Sequence, residues 1–69
     1  MSQDARKQIA KKVFDLRTKA KISREELSLK LGFDNSYISK LEREKINITI
    51  DKIELIASFF NIKIKDFFM

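Results

Sequence analysis

A short helix that we predict over about residues 35 to 43 carries hydrogen-bonding side chains on one face. Asn35 could form paired hydrogen bonds with the edge of an adenine, and Lys40 could donate to O6 and N7 of a guanine. Such side chains at helical spacing predict contact with base edges of double-stranded DNA, although a solvated helix face is the alternative for each of them. The predicted base-reading residues are Asn35, Ser36, Tyr37, Ser39 and Lys40.

A second set of polar residues flanks this helix and suits the phosphates of a DNA backbone. Arg24 offers a permanent charge, and the free backbone N–H groups at Ser23, where a helix begins, attract anions. Arg43 and Lys45 lie near the end of the predicted helix and beyond it, where phosphates are easier to reach than bases. The predicted phosphate-contacting residues are Ser23, Arg24, Arg43, Lys45 and Asn47.

Catalytic chemistry has little support in this composition. The chain contains no histidine and no cysteine, which removes the commonest general base, the thiolate nucleophile and the commonest metal ligands. A single glycine cannot form a glycine-rich phosphate loop. We therefore expect no catalytic residue, no metal site, no cofactor and no enzymatic activity.

Two predicted helices joined by a sharp turn position the polar residues. Ser23 followed by Glu26 forms a capping box at the start of the first of them, and Leu27 and Leu31 lie on its inner face. Gly32 can adopt the left-handed conformation that ends a helix. We expect Asp34 to cap the second helix, and this arrangement of residues 23 to 43 predicts a helix-turn-helix.

A longer helix is predicted over about residues 4 to 20. Its apolar stripe places Arg17 at the edge of the predicted core. A helical wheel of residues 35 to 43 likewise places Glu42 on the side that faces the core. Either charge alone would bear a large desolvation cost. The two positions therefore predict a structural ion pair between Arg17 and Glu42. The rest of the inner stripe is Ile9, Val13, Leu16 and Ala20.

Beyond the motif, Thr49 is expected to cap a further helix that Asn61 ends, followed by a last helical turn at about residues 63 to 68. The predicted inner stripe of that helix is Ile50, Ile53, Ala57 and Phe60, flanked by Ile56. More apolar residues are present than one core face can use. A symmetric homodimer is the favoured reason, and the alternative is a final turn that buries them within the monomer. The predicted interface residues are Leu55, Phe59, Ile62, Phe67 and Phe68.

Length and composition limit the class of protein. Sixty-nine residues with one glycine and no proline predict a single, nearly all-helical domain over residues 1 to 69, with a small core. Residues 1 to 22 carry seven Lys or Arg and two Asp, so the net charge of +5 is concentrated in the first helix. No apolar run approaches the roughly 18 residues of a membrane span, and we expect a cytoplasmic protein without membrane contact.

The sequence resembles the Xre or lambda-repressor-like helix-turn-helix family. The residues that carry this resemblance are Leu16-Arg17, Ser23-x-Glu25-Glu26-Leu27, Leu31-Gly32, Ser36-Tyr37-Ile38-Ser39-Lys40-Leu41-Glu42-Arg43 and Ile56-Ala57, with Ile9, Val13 and Lys45. The resemblance implies an all-α, compact five-helix domain that has its helix-turn-helix at helices 2 and 3. It also implies dimerisation and binding to inverted-repeat operators.

Within that family, the size, Ser36-Tyr37-Ile38-Ser39 and the following Asn47-Ile48-Thr49 are similar to controller proteins of restriction-modification systems. Two positions depart from the family pattern. Glu44 stands where glycine is usual, so it must accept an unusual backbone conformation or end the helix differently, and Arg24 replaces a glutamine that contacts phosphate.

These observations favour a dimeric, sequence-specific regulator of transcription that contacts double-stranded DNA and, in an activator, RNA polymerase. The alternative is a protein-protein module, such as an antitoxin or a polymerase-contacting adaptor, for which DNA is secondary. Glu25 and Glu26 beside the predicted DNA face would suit such a contact. Salt dependence of DNA binding distinguishes the two, because contacts with several phosphates weaken steeply as salt rises.

Overall fold

Residues 3–68 are described by a computed structural model, with side chains from residue 5 onward. Four α-helices follow one another: α1 over Gln3–Lys19, α2 over Arg24–Lys30, α3 over Tyr37–Glu42 and α4 over Ile50–Phe59. A 3-10 helix over Ile64–Phe68 ends the described chain. No strand forms within residues 3–68, which confirms the all-helical class.

The expected fifth helix is a correction to the sequence prediction, because the last element is a 3-10 helix rather than an α-helix. It spans only Ile64–Phe68, a length typical of 3-10 helices, which occur in short pieces. Asp66 tightens it at the start, since its Oδ2 accepts a hydrogen bond from the Lys63 backbone N–H at 3.1 Å. The domain therefore has four α-helices in residues 3–68.

Side-chain caps fix the starts of α2 and α4. The Ser23 hydroxyl accepts from the Glu26 N–H at 3.0 Å, and the Thr49 hydroxyl accepts from the Lys52 N–H at 3.3 Å, which confirms both residues as caps. The other half of the predicted capping box, a bond from the Ser23 N–H to the Glu26 carboxylate, is not formed among the described residues. Asp34 was predicted to cap α3, and this is wrong. Ser36 occupies the cap position without a side-chain hydrogen bond to the helix, and its hydroxyl donates to Asp34 Oδ2 at 2.9 Å.

The turns after the helices use left-handed backbone conformations. Gly32 (φ 77°) and Asn61 (φ 57°) adopt them as predicted. Glu44, which stands where the family usually has glycine, also adopts a left-handed conformation (φ 60°). Of the two expected alternatives, the unusual backbone conformation is therefore the one observed. Lys21 (φ 59°), between α1 and α2, was not foreseen, because lysine gives no sequence signal for this conformation.

One core joins all four helices and the 3-10 helix. Ile48, in the loop between α3 and α4, also packs into this core. Burial of each aliphatic side chain stabilises the fold by about 1.5–3 kcal/mol. The buried hydrophobic members are Ile9, Val13, Leu27, Ile38, Leu41, Ile48, Ile53, Ile56, Ala57 and Phe67. The described chain contains no helix that is both long and apolar enough to cross a membrane.

Three apolar residues lie elsewhere than the wheels predict. Ile50 is 59% exposed, because the wheel gives direction but not position along the axis, and the core contacts of α4 begin one turn later at Ile53. Ala20 is exposed beyond the end of α1. Phe67, predicted at a dimer interface, is 2% exposed and belongs to the core, since the 3-10 helix folds back against α1.

Candidate nucleic-acid interface

The outer face of α3 presents polar side chains away from the core. Ile38 and Leu41 fill the core on the inner side, which leaves Asn35, Lys40 and Arg43 exposed. Ser36 and Ser39 are half-buried on the same surface. We call these five residues, Asn35, Ser36, Ser39, Lys40 and Arg43, the reading face.

Asp34 is the polar group that holds the start of the reading face. Its Oδ2 accepts a hydrogen bond from Ser36 Oγ at 2.9 Å and lies 3.9 Å from Lys40 Nζ. The Lys40 side chain is 52% exposed, so this ion pair is a loose surface contact. Lys40 is therefore available to exchange Asp34 for another hydrogen-bond acceptor.

Ser28 of α2 forms a buried hydrogen bond to the start of α3. This serine is fully buried, and its hydroxyl donates to the Arg24 carbonyl at 2.9 Å and accepts from the Ile38 N–H at 3.0 Å. The second bond satisfies a backbone donor in the first turn of α3, where no intrahelical partner exists. Sequence reasoning missed Ser28, although a serine beside Leu27 on the inner side of α2 was the available signal.

Glu42 joins α3 to both preceding helices. Its Oε2 accepts from Arg17 Nε at 2.7 Å, and its Oε1 accepts from Arg17 Nη2 at 3.1 Å and from Arg24 Nε at 2.9 Å. Arg17 Nη1 also donates to the Ile22 carbonyl at 3.0 Å. The predicted ion pair between Arg17 and Glu42 is thus present, and it is bidentate and buried, with the two side chains 9% and 5% exposed.

Arg24 differs from Arg17 because its side chain is 51% exposed. The hydrogen bonds in the described part of the chain use only its Nε, so both Nη groups remain free to donate. Glu42 holds this guanidinium in a defined place at the start of α2. A fixed, half-exposed guanidinium with two free donors is well suited to a phosphate.

Tyr37 is packed inward rather than displayed with the reading face. Its ring centroid lies 4.7 Å from that of Phe33, and Lys52 Nζ from α4 lies 4.6 Å from the Tyr37 centroid. The hydroxyl is buried with no hydrogen-bond partner among the described residues, and this burial raises the pKa of Tyr37. The enclosed hydroxyl is not available to a base edge, so the predicted base contact of Tyr37 applies only to its half-buried ring and stays a prediction.

The remaining residues predicted at phosphates lie at the surface. Ser23, Lys45 and Asn47 are exposed, as is Arg43 of the reading face. The Ser23 hydroxyl is already engaged in its cap, so only its backbone N–H is suited to an anion. The reading face, Arg24 and these exposed residues all border α3 or the turns that adjoin it.

Residues 13–67 match the helix-turn-helix family HTH_3. The chain belongs to this family. It is also similar to a hypothetical transcription factor, NHTF, from Neisseria, at 30% sequence identity and a TM-score of 0.90, over 97% of this chain and 77% of that one. No curated protein matches the sequence.

This HTH_3 domain also exposes apolar side chains on α4 and on the 3-10 helix. Leu55, Phe59 and Phe68 are 50%, 40% and 42% exposed, and we call these three residues the apolar surface. Phe59 stacks edge-on against Phe60 at 5.0 Å between centroids. Ile62, also predicted at an interface, is half-buried and packs against the core.

Proposed function

We propose that this chain is a sequence-specific DNA-binding regulator of transcription that acts in the cytoplasm. The observation that carries the proposal is the arrangement of α3, whose inner side is anchored by Ser28 and Glu42 while its reading face is open. An outer helix held at a fixed angle is what insertion into a major groove requires. Family membership and the transcription-factor neighbour from Neisseria support the same function.

In the proposed complex, α3 enters the major groove with its N-terminal end first. Asn35 pairs with an adenine edge and Lys40 exchanges Asp34 for a guanine, each good pair giving about 1–3 kcal/mol of discrimination. Ser36 and Ser39 bond neighbouring base edges. Arg24 donates its free Nη groups to a phosphate, together with the exposed residues Ser23, Arg43, Lys45 and Asn47.

We infer further that the active form is a homodimer on an inverted-repeat operator. The apolar surface of Leu55, Phe59 and Phe68, with Ile62 beside it, would meet its copy across a two-fold axis. Such a dimer places its two α3 helices in successive major grooves, about 34 Å apart on one face of the duplex. Burial of exposed apolar side chains supplies the association energy.

A narrower form of the proposal is that the chain is the controller of a restriction-modification system. The sequence resemblance at Ser36-Tyr37-Ile38-Ser39 supports it. In this form the protein regulates the genes of its own system, and contact with RNA polymerase decides whether it activates transcription.

Selection of bound sequences from a random duplex pool tests the main proposal. We expect an enriched inverted repeat with half-sites about one helical turn apart. Titration of the winner at two salt concentrations should show affinity falling steeply as salt rises. Absence of enrichment would reject the sequence-specific regulator.

Sedimentation of Leu55→Asp tests the dimer. A carboxylate at this position of the apolar surface should give a monomer, because a charge cannot be buried in the proposed interface without a partner. Leu29→Asp is the matched control, since Leu29 is 61% exposed on α2, away from α4. A Leu55→Asp protein that remains dimeric would show that the interface lies elsewhere.

The second candidate function is a protein-protein module, and the exposed carboxylates of Glu25 and Glu26 on α2 favour it. These acidic groups lie next to the Arg24 phosphate position and would repel a DNA backbone while attracting a basic partner. Weak DNA binding with little dependence on salt would support this function over the regulator.

A further inference from the structure

A cleft between α1 and the end of α3 concentrates positive charge beside the reading face. Two of its lining cations, Arg24 and Arg43, are already placed at the proposed DNA backbone contacts. The other two, Lys7 and Lys11, come from α1, to which the proposed function assigns no DNA contact. The four cations open onto the same depression, so a ligand held by the arginines lies within reach of α1.

The carboxylates in this cleft do not cancel that charge. Glu42 is shared by Arg17 and Arg24, and its side chain is 5% exposed, so it offers little to a further cation. Glu44, half-buried and without an ion pair among the described residues, is the other acidic lining residue, so four cations line the cleft against two carboxylates. Lys11 lies 3.5 Å from Asp15 in an exposed pair, with side chains 79% and 55% exposed, and such pairs are easily exchanged.

We propose that Lys7 and Lys11 bind DNA backbone phosphates beside those held by Arg24 and Arg43, so that the interface extends from the helix-turn-helix onto α1. This inference rests on the proposed function. A phosphate suits the cleft because it is an anion that four exposed or half-exposed cations can approach from two helices and a turn. Lysines act there as point charges, so they add affinity without sequence preference.

The test is DNA binding by the full chain carrying Lys7→Gln and Lys11→Gln, measured on the selected operator and on random duplex over a range of salt. For each phosphate that the variant no longer binds, the slope of log affinity against log salt should become shallower by about 0.9. We expect affinity about tenfold weaker at low salt, by equal factors on both duplexes. Lys30→Gln with Lys65→Gln is the matched control, because it removes two exposed lysines that do not line the cleft.

Each outcome decides between the hypotheses. A shallower slope in the Lys7 and Lys11 variant but not in the control supports the inference. If both double variants change the slope equally, net charge alone is responsible and the inference is wrong. Weaker binding to the operator with unchanged binding to random duplex would also overturn it, since phosphate contacts carry no sequence information. If the native chain itself binds neither duplex, the proposed function fails as well.

Discussion

Between α1, α2 and α3 the buried contacts include polar groups, whereas α4 and the 3-10 helix pack on the core through apolar side chains. Ser28, Arg17 and Glu42 bond specific partners and so set directions as well as distances. Ile53, Ile56 and Phe67 on the other side contribute burial, which has no direction. The half formed by α1, α2 and α3, which we call the directional half, is therefore held together by hydrogen bonds that orient α3. The half formed by α4 and the 3-10 helix, which we call the apolar half, packs on the core mainly through apolar side chains.

Removal of Glu42, which joins α3 to α1 and α2, should lower the free energy of unfolding by more than any other change considered below. Glu42→Ala leaves the buried Arg17 guanidinium without its carboxylate, and breaking a buried pair in this way costs about 3–5 kcal/mol. Urea unfolding followed by circular dichroism measures the loss.

Glu54→Ala is the control for the Glu42 change, because Glu54 is exposed on α4 and its replacement should stay within about 0.5 kcal/mol. Equal stability of the two variants would show that the ion pair has no net effect on folding.

Two neighbouring phenylalanines test the apolar half. Phe67→Ala removes a core side chain that is 2% exposed and should cost about 3 kcal/mol, whereas Phe68→Ala, at 42% exposure, should cost less than about 1 kcal/mol in the monomer. Thermal unfolding at low protein concentration separates them. Similar losses would mean that Phe68 is as buried in solution as Phe67.

Ser28→Ala is the more subtle change in the directional half. It leaves the buried Ile38 N–H without an acceptor, which should cost about 1–3 kcal/mol. Ser58→Ala, exposed on α4, is the matched control. We also expect Ser28→Ala to reduce DNA affinity more than the control does. A variant with native stability and native binding would show that Ser28 does not position α3.

We expect the smallest effect on stability from the ionisation of Tyr37. The ring of Tyr37 in α3 contacts Lys52 in α4, so it lies where the two halves meet. Burial raises the pKa of Tyr37 above its ordinary value of about 10, so the folded chain keeps the phenol proton where the unfolded chain loses it. The stability that this group contributes is therefore fully present below about pH 10 and is lost as pH rises through the folded pKa.

Tyrosinate absorbance reports this pKa directly, because Tyr37 is the only tyrosine and the chain has no tryptophan. The same titration in urea is the control. Coincident curves in the folded and unfolded chain would show that the hydroxyl is open to water.

The sequence predicted the directional half well and the apolar half less well. In the directional half, the helix-turn-helix, the cap at Ser23, the turn at Gly32 and the pairing of Arg17 with Glu42 follow from residue types at particular spacings. In the apolar half, the same holds for the two ends of α4, at Thr49 and Asn61. Each is a local signal or a charge placed where only a partner could stabilise it. Arg24, which also bonds Glu42, was assigned to DNA alone, because its charge and the phosphate-contacting glutamine of the family at this position gave no sign of a contact with Glu42.

The C-terminal errors share one physical cause. Apolar residues give no sign of which surface they cover, so Phe67 in the core and Phe68 outside it have the same signal in the sequence. The same holds for Ile50, whose exposure depends on how far α4 extends past the core. The contact between Tyr37 and Lys52 was not predicted, because the two residues lie fifteen positions apart, beyond any helical repeat.

The residues that attach α3 to the rest of the domain, Ser28 and Glu42, are different from the residues that α3 and its N-terminal turn present to solvent. In the described chain, the side chains of Asn35, Ser36, Ser39 and Lys40 make no hydrogen bond or ion pair with another helix. The polar partner of Ser36 and of Lys40 is Asp34. These four positions can therefore be exchanged as a set while the scaffold is retained. If the proposed function holds, relatives of this protein can acquire new DNA preferences through a few substitutions at these exposed or half-buried positions.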